Sequence, residues 1–375
     1  MYQTDLPMRL LLVLLILFCN TNLQAQDYFK YHEGIIKAEE QIFVKQQYDE
    51  GLKTYADIFK KYDFVFAHDC VMAMQIALFR NNEKLFLQFT TKAMQNGLTI
   101  KHFDSRMMAY FQKHPIYNQY KDSIASIYRL NRPYYLKRID TIALGKMTQL
   151  FSNDQLEKNG LPTLTMKNNE RRYLPQITET MNQLLKLIAE RGYPSDRLIG
   201  IDCQNLLREL STTRMTPLDY YKKYKGDPCC NISQSQFEFD EYALSSGMIM
   251  PVIIHYGGDV KDRFDKRKYL SYPDSFYIRQ IKNGYMHPKD LAFLYDYGFN
   301  NGGTFTGTVN TNNGEKFFDV GIKGGAVRTI NITDAEINKI RKAFYIAPIE
   351  NDRIKISFMQ KHGMFIGWGW AGTRS

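Results

Sequence analysis

His255 is the residue whose position most invites chemistry. It ends an apolar run from Met248 to Ile254, and an imidazole there would serve as general acid or base if a carboxylate oriented it. Asp259, Asp290 and Asp296 are the candidate partners. The competing reading of His255 is a hydrogen-bonded structural histidine at the end of an element. His287, immediately before Pro288, reads as a helix-start residue rather than a catalyst. Ser245 and Ser246 stand beside Gly247 but lack the flanking glycine of a nucleophile elbow. The sequence contains no His-Glu-x-x-His, no Gly-x-Ser-x-Gly and no P-loop spacing, so it names no metal ligands and no cofactor.

Cysteine chemistry depends on the compartment. Arg9 precedes an unbroken apolar run, Leu10 to Phe18, which is followed by polar residues and the small residue Ala25. These are the three parts of a secretory signal, with cleavage expected after Ala25. Asp5 and Pro7 sit awkwardly before Arg9, so translation from Met8 would give a cleaner signal than translation from Met1. The run is well short of the ~20 residues that span a bilayer, and no transmembrane segment is expected. Phe18 is too bulky to precede a lipidated Cys19. The expected destination is the periplasm or the extracellular space. In such an oxidising compartment Cys70, Cys203, Cys229 and Cys230 are able to pair, with three full connectivities open. Adjacent Cys229 and Cys230 bridge each other poorly, which favours a link from Cys203 to one of them.

The formal charge of +10 is not focused, since Lys and Arg are scattered among Asp and Glu. Even the densest stretch, Lys261 to Lys268, is broken by Asp262 and Asp265. Without a recognition motif beside it, the charge does not point to nucleic acid. The 26 Tyr and 24 Phe residues supply apolar area for a core, with the Tyr hydroxyls needing partners.

The elements that must position these residues are mainly α, within an α+β class. Tyr48, Leu52, Tyr55, Ile58, Phe59 and Tyr62 recur at helical steps, as do Met72, Ala73, Ile76 and Ala77. Leu85, Phe86, Phe89 and Ala93 continue the pattern until Gly97 closes it. A shift of about 34 residues lays Tyr55 on Phe89 and Asp49 on Glu83, the period of antiparallel helix pairs. Residues 26–155 are therefore expected to form helical hairpins, with a polar boundary at Leu156 to Glu170. Residues 171–375 are expected to form a helical domain. Its helices begin near Ile177, Thr216-Pro217, Pro273 and Pro288, and Thr333-Asp334-Ala335-Glu336 reads as a capping box. Residues 300–325 are rich in Gly, Asn and Thr, and Asn312-Asn313-Gly314 between alternating runs predicts a small β-hairpin insert.

Two resemblances follow from these residues. Ile76-Ala77-Leu78, Lys92-Ala93 and Asn96-Gly97-Leu98, running on through Phe103 and Asp104 to His114 and Tyr120, resemble degenerate tetratricopeptide-like hairpins. Such stacked hairpins imply a face for a protein or peptide partner. From about Met181 to Met364 the chain resembles the bacterial domain of unknown function 6624. The carriers are Leu187 to Pro194, Ile199-Gly200, Val252 to His255, Leu294-Tyr295-Asp296, Gly307-Thr308, Pro348-Ile349-Glu350 and His362-Gly363. This chain has Tyr297 where that family tends to carry Arg, and Val309 where it tends to carry Gln. The family implies no activity. The sequence thus leads to an exported binding or assembly protein, with a hydrolase around His255 and a structural envelope protein as alternatives.

Overall fold

A computed structural model of the 375-residue chain describes residues 26–104, 109–159, 166–201, 206, 209–210, 245–256, 274–294 and 333–364. The expected signal at 1–25, the β-hairpin at 300–325, and Cys203, Cys229 and Cys230 lie outside the described residues. The described residues are mainly α-helical and contain no strand. No helix among them is long and apolar enough to cross a membrane.

Helix α1 (Tyr28–Glu39) starts where the Asp27 carboxylate accepts the Phe29 N–H, and it runs into a wider π turn, Glu40–Val44. Helix α2 (Tyr48–Lys61) packs back against α1 with Leu52, Tyr55, Ile58 and Phe59 inward, the expected stripe. Gly51 permits that contact, because a Cβ there would strike the Ile42 side chain and come within 2.9 Å of the Ala38 carbonyl oxygen. Helix α3 (Ala67–Phe79) is buried from Ala67 through Leu78, the polar His68, Asp69 and Gln75 included. Helix α4 (Glu83–Gln95) begins at Asn82, whose side chain accepts the Leu85 N–H, and closes before Gly97 at φ +110°. It packs against both α3 and the longer helix α8 (Lys121–Arg138); the short helices α5 (Ile100–Asp104), α6 (Ala109–Lys113) and α7 (Pro115–Gln119) lie between.

A second core forms where α9 (Thr141–Asn159) packs against α10 (Met166–Arg191) and α11 (Ser246–His255). Leu144, Met147, Leu184, Ile249 and Val252 are buried there, each such side chain contributing ~1.5–3 kcal/mol when fully removed from water. Helices α12 (Asp274–Lys282) and α13 (Pro288–Phe293) supply Tyr277, Ile281 and Leu291 to the same core. Helix α14 (Asp334–Ala343) carries the expected capping box, with Thr333 and Glu336 bonding reciprocally. Helix α15 (Ile349–Lys361) then returns to the first core, packing Phe358 on Phe43 and Phe79. Cys70 is free and buried in that first core.

Candidate metal centre

Three segments far apart in sequence meet at one cleft: α1, the first turn of α3 and the start of α13. The close approach of α13 depends on Gly284. Its φ is +72°, and a Cβ there would come within 2.6 Å of the Tyr28 ring. Arg197 ties the same corner together. Its guanidinium donates to the Asn283 carbonyl at 2.8 Å, pairs with Asp63 at 3.0 Å and covers the Tyr28 ring. His287 follows in extended conformation and caps α13, its Nδ1 accepting the Lys289 N–H at 3.2 Å. The expected helix-start role of His287 is therefore observed, but its other nitrogen faces Asp69.

Asp69 is the centre of the arrangement and is only 1% exposed. Its Oδ2 accepts the Tyr31 hydroxyl at 2.7 Å, and its Oδ1 lies 3.0 Å from His68 Nδ1 and 3.7 Å from His287 Nε2. Burial by itself would raise the Asp69 pKa; the His287 and His68 rings outweigh it and hold the carboxyl well below its usual range. Burial drives His68 down to about 4 against the pull of Asp69, and the Lys289 charge adds to the fall. His68 is thus neutral at neutral pH. His32 is also held neutral, first by burial and then by His287, and its ring lies edge-on to His287 at 5.5 Å. His32 is 2% exposed, and its buried Nε2 has no hydrogen-bond partner.

His68, Asp69 and His287 each offer a ligand atom within 4.8 Å of the other two. Distance decides what these atoms suit. A separation of 3.7 Å between His287 Nε2 and Asp69 Oδ1 is too long for a hydrogen bond. Ligands on a tetrahedral zinc ion with bonds near 2.1 Å stand roughly 3.4 Å apart. The observed edges of 3.0 Å and 3.7 Å bracket that spacing. Ligation through Nε2 would move the His287 proton to Nδ1 and give up the α13 cap. That loss is about 1 kcal/mol, against roughly 10 kcal/mol available from a well-formed zinc site.

The centre opens on a small cleft of about 30 Å³ lined also by Glu39, Lys289, Tyr345 and Asp352. Lys355 is buried against Glu39, and Arg341 against Asp352, both in direct ion pairs. Burial would raise Asp352, but Lys289, Arg341 and Lys355 bring it down to about 2. The Lys289 side chain has no hydrogen bond or ion pair among the described residues.

The residues singled out from sequence divide differently. His255 ends α11, but the placement of its side chain lies outside the described residues, as do Asp259 and Asp296. Asp290 is described in the first turn of α13, close to His287 and Asp196. Burial lifts its pKa to about 7, His287 opposes the rise and Asp196 adds to it. His32, His68 and Asp69 were not singled out. The usable signal was a His-Asp pair inside the otherwise apolar helix from Ala67 to Phe79.

Comparison with known proteins finds no matching family model, no matching curated protein and no matching solved structure.

Proposed function

We propose that this chain is an exported metalloprotein that binds one divalent transition-metal ion through His68, Asp69 and His287. The observation that carries the reading is that His68, Asp69 and His287 offer ligand atoms within 4.8 Å of one another, with His287 Nε2 and Asp69 Oδ1 at 3.7 Å, too far apart for a hydrogen bond. Two imidazoles and a carboxylate form a borderline donor set that suits Zn²⁺ over Mg²⁺ or Ca²⁺, which take oxygen ligands. The Tyr31 hydroxyl on Asp69 Oδ2 is the outer hydrogen bond that would orient the ligating carboxylate. Three protein ligands beside a cleft leave a fourth position open, the arrangement of catalytic rather than structural zinc. His32, a neutral imidazole whose Nε2 has no partner, lines the same cleft and would be available for proton transfer to a metal-bound water. Export is supported by the Arg9 to Ala25 pattern.

Calorimetric titration of metal-stripped protein with zinc tests the reading. The expected result is one tight equivalent for the native chain and marked weakening in Asp69→Asn and His287→Ala. Uptake of zinc with equal affinity by native protein and both variants would refute it.

A further inference from the structure

Lys289 sets the chemistry of what the cleft accepts. It lines the cleft with His68 and His287, yet its side chain has no hydrogen bond or ion pair among the described residues. The neighbouring cations differ. Lys355 is held by Glu39 and Arg341 by Asp352, so their charges are already answered within the protein. Lys289 shares the attraction of Asp352 and Glu39 with Lys355 and Arg341, so three cations face two carboxylates, and an anionic ligand would offset the surplus positive charge. Glu39 and Asp352 attract Lys289 but make their direct ion pairs with Lys355 and Arg341, and Asp69 faces the two histidines and Tyr31.

We infer that the metal-loaded cleft binds an oxyanion group, carboxylate or phosphate, with one oxygen on the open metal position and another on the Lys289 ammonium. This rests on the metal reading above. The metal polarises the first oxygen and Lys289 fixes the second. The ligand is thereby oriented as a two-point clamp rather than a diffuse ion cloud. Ile35, Ile36 and Ile346 form an apolar wall of the cleft, which is small enough to favour a compact anion.

The test loads the full mature chain with one equivalent of Co²⁺ and follows its visible absorption during titration with acetate and, separately, with inorganic phosphate. One of the two anions is expected to shift the spectrum saturably, and the stronger arm identifies the group. Lys289→Met should take up Co²⁺ normally but bind that anion about tenfold more weakly, the loss of one charge-assisted hydrogen bond. Lys289→Arg should restore most of the affinity, which a merely structural role would not. If Co²⁺ is not taken up at His68, Asp69 and His287, the metal reading itself falls. If Co²⁺ is bound but neither anion shifts the spectrum, or Lys289→Met binds as tightly as the native chain, the oxyanion inference alone is overturned.

Discussion

The Tyr31 hydroxyl donates to Asp69 Oδ2 at 2.7 Å and so decides which carboxylate oxygen is left to face the histidines. The same hydroxyl accepts the Phe66 N–H at 3.3 Å, so one phenol ties α1 to both the backbone and the carboxylate at the start of α3. Removing it leaves a buried carboxylate oxygen and a buried amide without partners. Tyr31→Phe is expected to lower unfolding free energy by about 1–3 kcal/mol, read from urea denaturation, and to weaken zinc binding as well. Unchanged values for both would show that Tyr31 does not orient Asp69.

At Gly51, α2 lies directly against the end of α1. A methyl group at this position would press into Ile42 and the Ala38 carbonyl oxygen. Gly51→Ala would ordinarily gain helix propensity, but here overpacking is expected to win by about 1–3 kcal/mol. A thermal melt in which Gly51→Ala is more stable than the native protein would contradict that packing.

Acid should act on Asp352. Its folded pKa of about 2 lies below the unfolded value near 3.9. Asp352 therefore contributes stability that is fully present above about pH 4 and is lost as the pH falls toward about 2. The contribution is on the order of 2 kcal/mol. Urea unfolding at a series of pH values is expected to show Asp352→Asn less stable than native protein at about pH 5 and converging with it near pH 2. Parallel curves would remove the Arg341 and lysine attraction as the cause.

Asp196 works in the opposite direction. Burial raises it to about 6, although the Ser245 N–H and hydroxyl both donate to its Oδ1 and oppose the rise. The folded state then holds a proton that the unfolded state has lost, so stability falls as pH rises from about 4 to about 6. Asp196→Asn keeps an oxygen acceptor for Ser245 and removes the buried charge. It is expected to be more stable than native protein above about pH 6, by on the order of 2 kcal/mol. Equal stability at neutral pH would contradict this account.

Local features of the chain were legible because they are written in consecutive residues. The α2 stripe, the Thr333–Glu336 capping box, the Gly97 closure and the His287-Pro288 helix start all occupy the places their chemistry predicts. The centre itself was not legible. His32, His68 and His287 come together only through packing of α1, α3 and α13, and no spacing along the chain encodes that. His255 drew attention for its place beside an apolar run, whereas the described geometry gathers His68, His287 and Tyr31 around Asp69. The capping role of His287 was read correctly, but a cap uses only one ring nitrogen, and the second is the one that points into the cleft.

The most direct test is anomalous X-ray diffraction at the zinc absorption edge from crystals of the zinc-loaded protein. The account predicts one strong peak bounded by His68 Nδ1, Asp69 Oδ1 and His287 Nε2, about 2 Å from each. An empty centre at saturating zinc, or a peak held by other residues, would contradict it.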